Sequence, residues 1–145
     1  MAGAGFLLAV LWFDLMFDVQ ALRQPPGHLP EGVLASTAGY YARVTTAARP
    51  MNRFVALVMV ATLSGLVAEV VRHCVPTWVA WTSLAVVGTA VAVAGARTVR
   101  NAVRLGTRAD DPARQSALAR SILRDHMFCF TCVFAALVVQ VGFGR

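Results

Sequence analysis

Asp14 and Asp18 stand one helical turn apart inside the first apolar stretch of this chain. Side chains four residues apart share a helix face. Two carboxylates at that spacing in a medium of low dielectric do not both ionise freely. Such a pair either holds a proton or meets cations, so Asp14 and Asp18 are candidates for proton-linked chemistry. The plainer alternative is a hydrogen-bonded structural pair, with Asp18 taken up by an arginine near the helix end. His126 heads the last apolar stretch in Arg124-Asp125-His126. With Asp14 or Asp18 to position it, His126 is the candidate general acid and base.

Cys129 and Cys132 have the spacing of a redox dithiol. They fall several turns into a continuing helix, where a bond between residues three apart is strained, so their reading as small apolar side chains is the stronger one. Asp125, His126 and Cys129 offer three ligand types without a paired cluster, so no metal site is expected. The sequence holds no glycine-rich phosphate loop, nucleophile elbow or helical His-Glu-x-x-His pattern.

The elements that must position these groups are apolar stretches over residues 2–22, 54–71, 78–96 and 127–143. Each is close to the roughly 20 residues needed to cross a hydrocarbon core of about 30 Å. The expected fold is therefore all-α: an integral membrane four-helix bundle forming a single domain over residues 1–145. With 58% hydrophobic and 14% charged residues and a mean hydropathy of +0.65, little is left for a soluble domain. Soluble domains carry about 25% charged residues. The first stretch lacks a basic leader and is interrupted by its two aspartates, which favours a retained helix over a secretory signal.

All thirteen basic residues are arginine. Arg23, Arg43, Arg49 and Arg53 follow the first stretch, and seven more lie between Arg97 and Arg124. Arg72 and Arg145 remain for the opposite side. Positive-inside bias places both long loops in the cytoplasm and both termini outside, in a bacterial-type plasma membrane. Flanking apolar spans and forming no aromatic-laced stripe, this charge argues against nucleic acid. It fits anionic lipid head groups instead.

Pro25, Pro26 and Gly27 end the first helix. After Pro30, Val33, Thr37, Tyr40, Tyr41 and Val44 recur at helical spacing. They predict a short helix that either lies in the membrane interface, where tyrosine rings favour the head-group layer, or packs on the cytoplasmic end of the bundle. Pro50 suits a first helical turn. Asp111-Pro112 is a helix start, a capping acceptor followed by proline, so the fourth helix should run from about 112 to 143. Ala85, Gly88, Ala92 and Gly95 form a small-residue seam that allows close helix packing, within the chain or against a second copy or another membrane protein. Four helices then bring Asp18, Asn52, Arg53, Asn101, Arg124, Asp125 and His126 to one depth with Asp14 beneath, as at the mouth of a pocket.

Several of these pieces carry a family resemblance. Tyr40-Tyr41-Ala42-Arg43-Val44-Thr45-Thr46 precedes Met51, Asn101 precedes a leucine-containing loop bearing Asp111-Pro112, and Arg124-Asp125-His126 opens the last helix. In this layout, over most of its length, the chain resembles the anthrone-oxygenase-like family of small four-helix membrane proteins. The resemblance implies a four-helix bundle with oxygenase or related redox chemistry, and carries over Asn101 and His126. Where such proteins close the first helix with a Glu-His pair, this chain has Asp18-Val19.

Catalytic candidates are thus His126, Asp14 and Asp18, and Asn101 and Arg124 are candidates for holding a cofactor of unknown identity. Three functions are open: a membrane enzyme or redox protein acting on a lipophilic substrate; a proton-coupled exporter using Asp14; and a non-catalytic partner or assembly subunit, in which the polar groups tie helices together. With no complete constellation in the sequence, the last is the expected role.

Overall fold

A computed structural model describes residues 1–47 and 49–144; of Arg49 only the backbone is considered. The described residues are helical and contain no strand. Helix α1 spans Ala2–Leu22, α2 Glu31–Ala42, α3 Arg49–Arg72, α4 Thr77–Val93, α5 Val99–Thr107 and α6 Pro112–Phe143. Two five-residue π-helical turns interrupt this order, Arg43–Ala47 after α2 and Ala94–Thr98 between α4 and α5. The second joins its neighbours into one rod, so among the described residues four helices are long and apolar enough to cross a membrane.

Helix limits follow local chemistry. Asp111 caps α6 by accepting a hydrogen bond from the Arg114 amide at 2.9 Å, with Pro112 in the first turn where its missing N–H costs nothing. The α4–α5 rod runs on to Thr107, past the 96 expected from apolar content. Arginines end an apolar run but are good helix formers, so backbone hydrogen bonding continues beyond it. Likewise α3 starts at Arg49, more than a turn before the apolar run at 54.

The long helices pack in a ring: α6 lies against both α1 and α4, and α3 closes the circuit between α4 and α1. Gly3 of α1 approaches Thr62 of α3 so closely that no β-carbon fits between them. Large apolar side chains, among them Trp12, Phe13, Leu57, Val60, Trp81 and Phe134, point outward around the ring. An apolar exterior on this scale is foreign to a water-facing monomer. The Ala85–Gly95 seam also faces outward: Gly88 and Gly95 have open space where a side chain would stand, so it makes no helix contact within the chain.

The thickest core lies where α2 and α5 wrap the end of α1 and the start of α6, around Ala21, Leu34, Ala38, Tyr41, Leu105 and Ile122. Here α2 packs on the end of the ring, with Leu34, Thr37, Ala38 and Tyr41 buried. The loop before it is fastened to α6: the Leu29 amide donates to Ser116 Oγ at 2.9 Å, and Arg120 donates to the Pro25 carbonyl at 2.7 Å. Gly27, at φ +121°, occupies a backbone conformation that favours glycine. Arg108 reaches Glu31 at 2.6 Å. Arg104 pairs with Asp110 at 2.7 Å and holds that carboxyl below the usual aspartate range.

Candidate functional site

Three helices meet at one histidine. His126, near the middle of α6, has Nδ1 2.7 Å from Asp18 Oδ2 of α1, while its Nε2 faces Asp14 Oδ2 at 3.9 Å. The two aspartates sit one turn apart on α1, so their carboxyls reach opposite edges of the same ring. Helix α2 supplies the other half. The Tyr41 hydroxyl donates to Asp18 Oδ1 at 2.7 Å and the Tyr40 hydroxyl donates to Asp14 Oδ1 at 2.6 Å. Each aspartate thus gives one oxygen to a tyrosine and turns the other toward a different nitrogen of His126.

Local spacing prepares two parts of this arrangement. The i, i+4 pair on α1 stacks the carboxyls, and the adjacent tyrosines of α2 spread their rings to meet them. Phe17 stacks on Tyr40 with ring centroids 4.0 Å apart, fixing its plane. Asp18 is 1% exposed, so the donors from Tyr41 and His126 replace the water it has lost. As a carboxylate Asp18 accepts from both, which sets the imidazole as the Nδ1–H tautomer and leaves Nε2 as its basic atom. Burial, and the carboxylates beside the hydroxyls, push both phenols well above the ordinary tyrosine range. They remain hydrogen-bond donors throughout the neutral range.

This polar cluster opens on a cavity of about 340 Å³. Asp14, Tyr40, Tyr41 and His126 line one end, and the walls are apolar: Leu7, Leu11, Val55, Met59, Ala90, Val133 and others. Both π turns contribute, Val44 and Thr45 from the first, Ala94 and Thr98 from the second. Such turns are rare and recur at functional sites. A pocket with apolar walls and a few convergent polar groups has the general form of a small-molecule site.

Of the residues singled out in the sequence, Asp14, Asp18 and His126 come together here. Asn52 also lines the cavity. Asn101 does not: its amide donates to Ser121 Oγ at 3.4 Å, tying α5 to α6. Arg124 is exposed and outside the cavity. Asp125, beside His126, turns the other way. It accepts from Arg97 Nε at 3.0 Å, pairs with the same guanidinium through Nη2, and accepts from the Thr98 hydroxyl at 3.2 Å. This clasp fixes the second π turn to α6. Cys129 lines the cavity and its thiol donates to the Ala90 carbonyl at 3.4 Å; Cys74 is exposed in the α3–α4 turn, and all three cysteines are free. Among the described residues no three His, Cys, Asp or Glu side chains are placed to hold a metal ion together.

The tyrosines are the site residues that charge and spacing missed. Their position on the α2 stripe was legible, but a tyrosine at a membrane interface and one bonded to a buried carboxylate look alike in sequence. Two adjacent tyrosines following two aspartates one turn apart were the available signal.

No protein-family model matches the chain, and no curated protein or solved structure shows significant similarity to it.

Proposed function

We propose that this chain is a multi-pass membrane protein that moves a proton to or from a lipophilic molecule held in the apolar cavity, with His126 as the acid–base group. One observation carries the reading: Nδ1 of His126 is anchored at 2.7 Å on Asp18, while Nε2 faces the cavity beside Asp14. A histidine so held has one free basic atom and a fixed direction of attack. When Nε2 takes a proton, the imidazolium lies between two carboxyl groups that stabilise it without moving. Tyr40 keeps Asp14 turned toward the ring, and Tyr41 does the same for Asp18.

Of the roles open from the sequence, this geometry favours the enzyme over the assembly subunit, since helix-tying polar groups have no need of a cavity at their unsatisfied edge. The resemblance to the anthrone-oxygenase-like family carries over the same residue, His126. The apolar exterior supports a guest that arrives through the bilayer. We further propose that the chain lies in a bacterial-type plasma membrane with both termini outside. The α2 end and its arginines then face the cytoplasm and anionic head groups. The outward Ala85–Gly95 seam is available to a second copy.

The test uses protein in lipid nanodiscs and 2-naphthol, a lipophilic weak acid whose ionised form has its own absorption band. Wild type should bind it and raise the naphtholate fraction at neutral pH. His126→Gln should bind without that rise, and Val55→Trp, which fills the cavity, should not bind. Equal naphtholate signals from wild type and His126→Gln would defeat the proposal.

A further inference from the structure

A second cavity, of about 360 Å³, lies at the opposite end of the same four helices. It is lined by the amino-terminal residues of α1, by Thr62, Gly65 and Glu69 of α3, and by Gln140 of α6. Gln140 Nε2 donates to Glu69 Oε2 at 2.6 Å. The hydroxyl of Thr62 is buried without a partner. Glu69 is thus an ionisable group set in a pocket between helices.

On every helix of the ring the two cavities come within one turn of each other. On α1 Leu7 lines the first and Ala4 the second, and on α4 and α6 Ala90 and Val87, and Val133 and Ala136, divide in the same way; on α3 the linings overlap, with Val55 and Met59 in the first and Val58 between them in the second. Three residues of helix correspond to about 4.5 Å. What separates the cavities is therefore one layer of apolar side chains, chiefly Leu7, Val87 and Val133, all nearly fully buried. These three side chains carry no titratable group; Cys129, one turn before Val133 on α6, packs in the same apolar cluster as Leu7 and Val133. On its near side stand Asp14 and Asp18 of α1, Tyr40 and Tyr41 of α2, and His126 of α6. On its far side stands Glu69, with Arg72 and His73 exposed at the end of α3.

We infer that the two cavities are halves of one interrupted path across the protein, along which protons pass between Glu69 and the His126–Asp14 centre when water bridges the apolar layer. The path has a proton-binding group at each end and an apolar barrier no more than about one helical turn thick between them. A hydrophobic layer of this kind blocks ions while dry and conducts when wetted. The step moves a proton and its charge only: water delivers it to Nε2 of His126 from one side, and the same atom releases it to the other. This inference stands on the placement of the cavities and does not depend on the identity of any lipophilic guest.

The experiment reconstitutes the protein in liposomes holding a pH-sensitive dye, with a potassium diffusion potential as driving force. Thinning the layer with Leu7→Ala and Val133→Ala should raise proton flux over wild type by about tenfold or more, as expected when a barrier falls. Adding Glu69→Gln should lower that flux again. A folded double variant no leakier than empty liposomes overturns the inference, and so does a leak indifferent to Glu69→Gln. If the double variant does not fold, cysteine accessibility decides, in a background with the native cysteines replaced. A small charged thiol reagent should reach Ala136→Cys only from the outer side and Val55→Cys only from the inner side. Failure to reach either position from its own side overturns the inference.

Discussion

Gly106 of α5 lies against the backbone of Ala42 so closely that a β-carbon on it would stand 2.9 Å from the Ala42 amide nitrogen. Ala42 follows Tyr40 and Tyr41 directly, so this contact sets how far the two phenols reach toward α1. Gly106→Ala should push α2 outward and destabilise the protein by about 1–3 kcal/mol, the usual cost of overpacking. Gly88→Ala, facing open space, should be neutral or mildly stabilising in the same thermal melts. Equal melting points for the two variants would mean that α2 is not held by this contact.

Both tyrosines of the chain belong to the site, so tyrosinate absorbance reports on it alone. Their folded pKa values lie above the free value of about 10. Below pH 10 folded and unfolded chains both keep the phenol protons, and this contribution to stability is intact. Above it the unfolded chain releases protons that the folded chain retains, so stability falls as pH rises. Absorbance near 295 nm should therefore stay flat past pH 10 and rise only with unfolding. A reversible rise centred near pH 10 in folded protein would contradict the hydrogen bonds to Asp14 and Asp18.

His126 should be distinguishable from His28 and His73, which are exposed. Nitrogen-15 NMR of histidine-labelled protein should show one ring in the Nδ1–H tautomer with a slowly exchanging proton, and Asp18→Asn should abolish that signature. His126→Gln should also cost about 1.5–3 kcal/mol of stability, the range for losing a hydrogen bond to a buried charged group. Three equivalent, fast-exchanging rings would rule out the anchored imidazole.

Topology is testable with a native reporter. Cys74 is exposed in the α3–α4 turn and should react with a membrane-impermeant maleimide on intact cells. Cysteines introduced at the exposed positions Ala35 and Ala109 should react only after permeabilisation. Ser116 is unsuitable, because its hydroxyl holds the Leu29 amide. Labelling of Ala35→Cys or Ala109→Cys on intact cells would invert the proposed orientation.

The sequence revealed helices more readily than partners. Asp111-Pro112 announced the start of α6 because capping is local, and Pro25-Pro26-Gly27 announced the end of α1 for the same reason. The one-turn spacing of Asp14 and Asp18 placed them on a shared face. That His126 would sit between them depends on how α1 and α6 cross, and no short pattern encodes a pairing across a separation of 108 in sequence. Asp125 shows the same limit. Several arginines lay within reach of its depth, and Arg97 is the partner because the π turn brings it round. Periodicity gave no warning of either π turn; the second adds a single residue to a rod that otherwise continues from α4 into α5.

That added residue has a consequence for rotational phase. In an α-helix each residue advances the face by about 100°. The π turn Ala94–Thr98 therefore presents α5 to α2 at an angle that an uninterrupted rod would not. Deleting one residue there would leave a continuous helix with Leu105 and Gly106 swung away from their seats. The chain would still have its apolar lengths and its arginines, and would meet every compositional criterion of a membrane protein. It would lose the seating of α2, and with it the two hydroxyls that aim the aspartates.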